Sequence, residues 1–441
     1  MSYFILGYFA IRLFSFLCAP GHFFNTLISV LILAGVAYFL LKKDFRGWYI
    51  IAGEMILGGI GGFFNIEEIS LRTALLVCSI SIFIIQKIRA GQIKQAIQED
   101  KFVCYFFLAI YSIVAISTVR GYLFGNDLKL IISDAIPYLF LLYYFPLKEL
   151  WLVDKFKKLI LNLVTATVIG NLVFVLFTFI IYSAGLAELQ NTYYKWFRDV
   201  AGGKITDLKT GFFRIVLNEH LLLVPLLLYY LHKVINKHGR KLLSVLLLII
   251  LSVNLTRIYI LALLFGLIIM FAWKNWRRWL VVSLASGLIF ISSFTSIHLV
   301  SSRGQDLGWE VFGLRVQSIA KPEIEPSALS RMLLLPKIGE KIVDKPILGH
   351  GLGDAVTVYS PVVEKEITTP HFDWGYLEIW VEMGMIGILI WLGFLVLVLI
   401  KTKNIPILVS LLVINLTSPA FFHVMGIVLL IILLNNKKPY A

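Results

Sequence analysis

Apolar residues fall along the chain in blocks that are long enough to cross a lipid bilayer. A membrane-spanning helix needs about 20 residues, and polar residues here separate the blocks instead of alternating within them. A β-barrel would instead show segments of about 10 residues with alternating apolar and polar positions. The pattern therefore predicts an all-α, polytopic membrane protein. Its clear blocks are 22–41, 47–63, 71–86, 102–119, 131–146, 159–183, 213–231, 279–297 and 375–400.

Two longer apolar tracts and the N-terminus decide the expected number of spans. The tracts 242–273 and 405–434 each lie between two basic segments. Because basic segments are expected in the cytoplasm, each tract must cross the membrane and return, with a turn near Arg257 in the first and near Asn415 in the second. Residues 1–19 form either a first span or a helix lying on the membrane surface. The chain is therefore expected to have about 12–14 transmembrane helices.

Composition excludes an ordinary soluble enzyme. The 441 residues are 59% hydrophobic and only 15% charged, whereas soluble domains are about 25% charged. The net charge of +14 would favour a nucleic-acid partner in a soluble protein. Here most Lys and Arg residues lie in short loops that the positive-inside rule places in the cytoplasm. The charge therefore reports orientation, and no nucleic-acid partner is expected. Arg12 and Arg72 lie in or beside apolar blocks and are expected to snorkel to the interface.

The segment 298–374 is too long and too polar to be a simple connector between two spans, and the orientation places it outside. Residues 327–345 have apolar positions at helical spacing with charges between them, which predicts amphipathic helices along the membrane surface. The sequence PILGHGLG follows at 346–353, and its glycines allow turns that other residues disfavour. The segment then runs directly into the block 375–400, which places His371 at the outer mouth of the bundle.

Three pieces of the sequence stand in a fixed order: GFFRIVLNEH at 211–220, NLTRIYILALLFG at 254–266, and SRMLLLPKIGEKIVDKPILGHGLG, followed after a spacer by PHFDWGYLEIWVEMGMIGILIWL. This arrangement resembles the O-antigen ligase and polymerase family of bacterial envelope glycosyltransferases. The resemblance covers roughly 211–400 and implies the fold called GT-C, with 298–374 as the large external loop. One departure is Asp373, where the family often has Asn beside its histidine.

The resemblance implies transfer of a glycan from undecaprenyl pyrophosphate to an acceptor hydroxyl. His371 suits the role of base, because an unperturbed imidazole has a pKa of about 6.5. Arg257 and Arg214 suit the departing pyrophosphate, since guanidinium stays charged and binds phosphate oxygens in a forked geometry. Arg331 is a third candidate cation, from the external loop. An ionisable residue within a span is costly and is therefore a functional candidate.

Each candidate also has a simpler interpretation. His371 could be an interfacial histidine at a helix start, and Arg257 could cap a tight turn. Arg214 could snorkel to the interface, and Arg331 could be an ordinary charge on an amphipathic helix.

Acidic residues near His371 have similarly open roles. Glu378 and Glu382 lie four residues apart on one helical face and, with Asp373, could orient His371 or bind sugar hydroxyls. The equally open alternative for the two glutamates is a buried pair bonded to neighbouring helices. No acidic and histidine set has metal-ligand spacing, so catalysis is expected to be independent of bound metal. No cofactor is expected.

The expected function is a polysaccharide polymerase of the O-antigen type, which adds a chain to the next lipid-linked repeat unit. The alternative is an O-antigen ligase, which uses the same chemistry with lipid A–core as the acceptor. A third hypothesis is a flippase or transporter for lipid-linked glycans, which would favour inverted repeats and short external loops.

The expected partners are the undecaprenyl pyrophosphate-linked glycan, a second glycolipid as acceptor, and the lipid bilayer. A chain-length regulator is a further candidate partner. Residues 1–441 are expected to form a single integral membrane domain. It would be a multi-pass protein of the bacterial inner membrane, with the active site facing the periplasm.

Overall fold

A computed structural model describes residues 2–18, 22–59, 61–208, 211–237, 240–360 and 364–435. The α-helices are, in chain order, α1 (Ser2–Cys18), α2 (His22–Leu41), α3 (Arg46–Leu57), α4 (Leu71–Arg89), α5 (Ile93–Glu99), α6 (Lys101–Leu123), α7 (Leu128–Leu139), α8 (Tyr144–Leu150), α9 (Asp154–Ser183), α10 (Thr192–Asp199), α11 (Leu223–Ile235), α12 (Lys241–Asn254), α13 (Arg257–Ile269), α14 (Trp276–Ser301), α15 (Trp309–Ala320), α16 (Pro326–Asp344), α17 (Gly375–Lys401), α18 (Ile405–Ile414) and α19 (Val424–Asn435).

Short 3₁₀ helices and three antiparallel hairpins complete the described structure. The 3₁₀ helices are Phe140–Tyr143, Asn218–Leu222, Trp273–Asn275, Pro322–Ile324 and Ala420–Phe422. The strands are β1 (Asn65–Ile66) with β2 (Ile69–Ser70), β3 (Gly203–Asp207) with β4 (Phe213–Leu217), and β5 (Val356–Ser360) with β6 (Lys365–Thr369). In the second hairpin Ile205 pairs with Ile215, and in the third Val358 pairs with Ile367.

The helical, polytopic class is confirmed. Among the residues that the structure describes, seven helical segments are long and apolar enough to cross a membrane. They are Phe23–Leu41, Leu71–Arg89, Lys101–Leu123, Leu128–Leu150, Asp154–Ser183, Trp273–Ser301 and Gly375–Lys401. The shorter apolar helices include α1, α12, α13, α18 and α19. The helices are also interrupted at both predicted turns, because α12 and α13 divide the tract 242–273 and α18 and α19 divide the tract 405–434. That each tract crosses the membrane and returns stays a prediction.

Two predicted spans are wrong in part. Residues 213–217 form strand β4 rather than helix, and α11 begins only at Leu223. Ile215 and Leu217 alternate with less buried neighbours, and this alternation, with β-branched Ile and Val, suits a strand. The block 47–63 is helical only to Leu57, since glycines follow that residue and break the helix.

The chain divides into two compact units. One contains Met1–Gly91 and Pro146–Trp309, and the other contains Gln92–Phe145 and Glu310–Ala441. We call them the first unit and the second unit. The single domain over 1–441 stays a prediction.

In the first unit, Arg12 and Arg72 do not snorkel, and that expectation is wrong. The Arg12 guanidinium bonds Glu219, with Nη2 2.7 Å from Oε1, and both side chains are 4% exposed. Arg72 Nε lies 3.0 Å from Glu54 Oε2, and the Arg72 side chain is buried as well. A buried charge is costly unless a partner satisfies it. Each arginine therefore stays inside, because a glutamate elsewhere in the sequence neutralises it.

Candidate active site

The centre of the candidate site is a histidine–glutamate pair at the start of α17. His371 Nδ1 lies 3.2 Å from Glu378 Oε1, and the backbone N–H of Phe372 donates to Glu378 Oε2 at 3.4 Å. Glu378 is fully buried, whereas the His371 side chain is 47% exposed. Glu378 lies in the first turn of α17, where the helix dipole favours a negative charge. A carboxylate that accepts the Nδ1 proton leaves Nε2 with its lone pair.

The chain around His371 is fixed by one apolar anchor. The Phe372 side chain is fully buried in a cluster with Leu334, Ile338, Val356 and Val381. Burial of a phenylalanine ring stabilises the fold by about 1.5–3 kcal/mol relative to leaving it exposed. The loop is therefore held by the residue next to the histidine, and the imidazole itself stays accessible.

Arg331 on α16 holds the same loop by two polar contacts. Its Nε donates to Asp373 Oδ2 at 3.2 Å, and its backbone carbonyl accepts from Trp374 Nε1 at 3.0 Å. Asp373 has a φ of 57°, a left-handed conformation that Asp and Asn tolerate better than most residues. Asp373 is thus bonded to Arg331, and it lies two residues after His371 in the sequence.

The glycine-rich segment 346–353 lies against a kink in α17. Gly384 has a φ of 70° within the helix, and a Cβ there would collide with the backbone carbonyl of Ile347. The N–H of Met385 donates to the Pro346 carbonyl at 2.8 Å. Because only glycine fits this approach, the segment pairs with the backbone of α17 nearly two turns after Glu378, the partner of His371.

Two carboxyl groups share the last glycine of that segment. The N–H of Gly353 lies 3.1 Å from Glu382 Oε1 and 3.1 Å from Asp134 Oδ2. Asp134 and Glu382 are both buried, and Glu382 Oε2 has no hydrogen-bond partner among the described residues. Glu382 therefore holds the glycine segment, and among the described residues it forms no hydrogen bond with His371.

Arg214 and the turn before Arg257 lie in the first unit. Arg214 Nε donates to the Asn254 carbonyl at 3.0 Å, and its Nη2 lies 3.2 Å from Thr256 Oγ1. The turn itself contains Leu255 at a φ of 47°. Arg257 follows as the first residue of α13. Arg214 therefore fixes the turn that carries Arg257 into its helix.

A buried network continues from that turn. Asn254 Nδ2 lies 2.6 Å from His220 Nδ1, and His220 Nε2 lies 3.0 Å from Asn171 Oδ1. The N–H of Leu217 also donates to His220 Nδ1. Because Nδ1 accepts two hydrogen bonds, Nε2 carries the proton and donates to Asn171. Asn171 Nδ2 then donates to Glu219 at 2.7 Å.

The candidate residues predicted from the sequence fall into two groups. The second unit brings together a group of five: His371, Asp373, Glu378, Glu382 and Arg331. Arg214 and Arg257 belong to the first unit. The sequence reasoning missed Asp134. Its signal was available, since Asp134 is a carboxylate inside the apolar block 131–146, and such a residue is costly without a function or a partner.

The pKa of His371 is displaced by its neighbours. The hydrogen bond that His371 Nδ1 donates to Glu378 raises the pKa of His371 above its usual value, and partial burial opposes that shift. The negative charges of Glu378, Asp134 and Asp373 raise it further. A base with a raised pKa accepts a proton more strongly, so the arrangement strengthens His371 as a general base.

The described residues contain no group of three or more His, Cys, Asp and Glu side chains that could hold a metal ion. Metal independence nonetheless stays a prediction. The polar groups of the site are an imidazole, carboxylates and a guanidinium. They suit proton transfer and the binding of hydroxyl or phosphate oxygens.

Comparison with known proteins gives a family match. Residues 242–392 match the family model described as O-Antigen ligase. The match begins after Arg214 and includes Arg257, Arg331, His371 and Glu378. No curated protein matches the chain, and no solved structure matches it either. The resemblance predicted from the sequence is therefore confirmed over these residues, which form about a third of the chain.

Proposed function

We propose that the chain is a polysaccharide polymerase of the O-antigen type. It would transfer a growing glycan from an undecaprenyl pyrophosphate donor to a hydroxyl of a lipid-linked repeat unit. The observation that carries the proposal is the His371–Glu378 pair, in which a fully buried carboxyl group bonds Nδ1 of a half-exposed imidazole. This geometry leaves Nε2 as the group that meets a substrate hydroxyl.

The proposed reaction is a single transfer. Nε2 of His371 takes the proton of the acceptor hydroxyl, and that oxygen forms a bond to the anomeric carbon of the donor sugar. The bond between this carbon and the pyrophosphate oxygen breaks, and undecaprenyl pyrophosphate leaves with the electron pair. Negative charge develops on the pyrophosphate as it leaves. Cations generally stabilise such charge in phosphate chemistry.

Three arginines would serve the pyrophosphate in different ways. Arg257 would bind its oxygens from the start of α13. Arg214 donates two hydrogen bonds to the turn before Arg257, so its contribution would include holding that turn in place. Arg331 is 30% exposed and already bonds Asp373. It would add a cation beside the loop that carries His371.

Ligation to lipid A–core is the second candidate function. The observation that favours it is the description of the matching family model, which reads O-Antigen ligase. Both candidates use the same donor and the same base. They differ in the acceptor alone.

The proposed chemistry can be tested with purified protein and a lipid-pyrophosphate-linked glycan. His371→Ala is expected to lower the transfer rate by about 10²–10⁴-fold, the usual contribution of a positioned base. His232→Ala, an exposed histidine on α11, is the matched control and should transfer normally. Undiminished transfer by the His371 variant would remove this residue from the catalytic role.

The acceptor can be tested by deleting the gene and resolving the envelope glycolipid on a gel. Loss of a polymerase leaves core capped with a single repeat unit. Loss of a ligase leaves bare core, with polymer retained on its lipid carrier. The proposal expects the first pattern, and the second pattern would replace it with ligation.

A further inference from the structure

Two cations of the second unit converge on a single aromatic ring. The Arg120 guanidinium carbon lies 5.0 Å from the centroid of the Phe124 ring, and Lys345 Nζ lies 3.4 Å from the same centroid. Arg120 is in the last turn of α6, and Lys345 directly follows α16. Each cation alone suits a helix C-terminus. Their meeting at one ring is not explained by the two helix ends.

Like charges repel, so such a pair is expected to have an anion nearby. Among the described residues, neither Arg120 nor Lys345 forms a salt bridge. Arg120 Nη2 donates to the Gly349 carbonyl at 2.6 Å, and Arg120 Nε is buried without a hydrogen-bond partner. In the described part of the chain, the side chain of Lys345 contacts the Phe124 ring and forms no hydrogen bond. Within the described residues no carboxylate pairs with either cation, since the adjacent Asp344 lies 3.6 Å from His350 Nε2 instead.

The surroundings of the two cations are apolar and exposed. Phe124 is half-exposed, and large exposed side chains adjoin it and Lys345 in sequence: Leu123, Val343 and Ile347. Exposed apolar residues beside paired cations suit a lipid that has an anionic head and a hydrocarbon tail. A free anion in water would not require the apolar rim.

This group is linked to the candidate active site through backbone contacts of the second unit. Arg120 bonds the carbonyl of Gly349, and the next residue, His350, donates its N–H to the Val381 carbonyl at 2.7 Å. Val381 lies on α17, less than one turn after Glu378. A lipid headgroup bound at Arg120 and Lys345 would therefore contact residues whose backbone is hydrogen-bonded to α17, the helix that His371 precedes.

We propose that Arg120 and Lys345, gathered on Phe124, form a second lipid-phosphate site that binds the pyrophosphate of the acceptor lipid. This inference rests on the proposed polymerase function, because a polymerase uses two pyrophosphate-linked lipids. The donor pyrophosphate belongs to Arg257 and Arg214, and the acceptor pyrophosphate to this site. Guanidinium and ammonium groups provide charge-assisted hydrogen bonds to phosphate oxygens.

Binding can be measured without catalysis. The probe is unglycosylated polyprenyl pyrophosphate, added to full-length protein in bilayer nanodiscs of a neutral phospholipid and counted by native mass spectrometry. We expect two copies on the wild type. Lys345→Gln should lose one copy, and Arg257→Gln should lose the other. Lys345→Gln is the safer variant, because the Lys345 side chain makes no hydrogen bond to any described residue, whereas Arg120 also bonds the Gly349 carbonyl.

Lys337→Gln is the matched control, since Lys337 is an exposed lysine of α16 that pairs with Glu340. It should keep both copies. Two copies on Lys345→Gln would overturn the proposal. Equal competition by phosphatidylglycerol would also overturn it, because the site would then bind any anionic headgroup. These outcomes do not depend on transfer activity, so they are separate from a failure of the proposed function.

Kinetics supply the second readout. With an active preparation, Lys345→Gln should raise KM for the acceptor lipid by about 10-fold, the effect of losing one charge-assisted bond. The KM for the donor and kcat should stay as in the wild type. An increase in donor KM, or no change in either KM, would contradict a dedicated acceptor site.

Discussion

Glu219 in the first unit and Glu378 in the second unit are both buried carboxyl groups, but their surroundings differ. Glu219 accepts two hydrogen bonds from Arg12 Nη2, one from the Tyr8 hydroxyl at 3.0 Å and one from the Asn171 amide at 2.7 Å. Glu378 accepts from His371 and from one backbone N–H. The partner of Glu219 is almost fully buried, whereas the partner of Glu378 is half-exposed.

This difference in surroundings indicates that Glu219 has a structural role and Glu378 a chemical one. A carboxylate that four buried contacts satisfy is closed to substrate, and its loss leaves Arg12 uncompensated. A carboxylate that bonds one face of an imidazole leaves the other face open. The first arrangement is expected to determine stability, and the second is expected to determine reaction rate.

The largest expected effect comes from breaking the closed arrangement. Glu219→Ala removes the partner of Arg12 and should lower the free energy of unfolding by about 3–5 kcal/mol. The measurement is thermal or denaturant unfolding in detergent. The double variant Arg12→Met with Glu219→Leu, which leaves no unpaired charge, should lose less than Glu219→Ala. An equal or larger loss in the double variant would contradict this account of the pair.

Changing Glu378, by contrast, should alter the rate of transfer and not the stability. Glu378→Gln keeps the size of the side chain but removes the charge that stabilises protonated His371. We expect transfer to fall by about 10²-fold, the lower range for a positioned base. Unfolding should stay close to that of the wild type, because no buried cation loses its partner. A large loss of stability with an unchanged rate in the remaining folded protein would reverse the contrast with Glu219.

The kink that supports the open site should tolerate no side chain. Gly384→Ala places a Cβ against the Ile347 carbonyl at a positive φ, and such strain costs about 2 kcal/mol. The segment 346–353 should loosen, which hydrogen exchange at Met385 would detect. Gly287→Ala is the control, since a Cβ there meets nothing within 4 Å. Equal protection at Met385 in both variants would contradict the role of Gly384.

The smallest expected effect concerns Asp373. Its ion pair with Arg331 is partly exposed, and such pairs contribute about 1 kcal/mol or less. Asp373→Asn retains an acceptor for Arg331 and the tolerance for a left-handed conformation. Transfer should change by less than about 5-fold. A change as large as that of Glu378→Gln would make Asp373 a principal partner of the histidine.

Sequence alone predicts a good part of the fold. The basic segments that flank 242–273 require a return, and the turn lies where this reasoning places it, immediately before Arg257. The spacing of apolar residues predicts the helix over much of Pro326–Asp344. Strand β4 is missed because a short apolar run has no clear hydrophobic period, so the sequence alone does not distinguish a strand from a buried helix. The resemblance also directs attention to His371 before its neighbours are known.

The partners of buried charges are harder to predict. Arg12 and Glu219 are 207 residues apart, and Asp134 and Gly353 are 219 apart. Neither pair lies on a single helix, so no helical spacing connects them. One charged residue in an apolar block indicates an unfavourable free energy of burial. The sequence does not indicate which distant residue offsets it. Only the packing of the helices supplies the answer.

The central claim is that buried Glu378 makes His371 the base of the transfer reaction. The most direct test is the pH dependence of kcat/KM in the wild type and in Glu378→Gln. A base must be unprotonated, so the rate rises as pH increases through the pKa of His371. Glu378 raises that pKa, so the wild-type rise should lie above pH 6.5 or so. In the variant it should move to lower pH. Rises at the same pH in both proteins would contradict the claim.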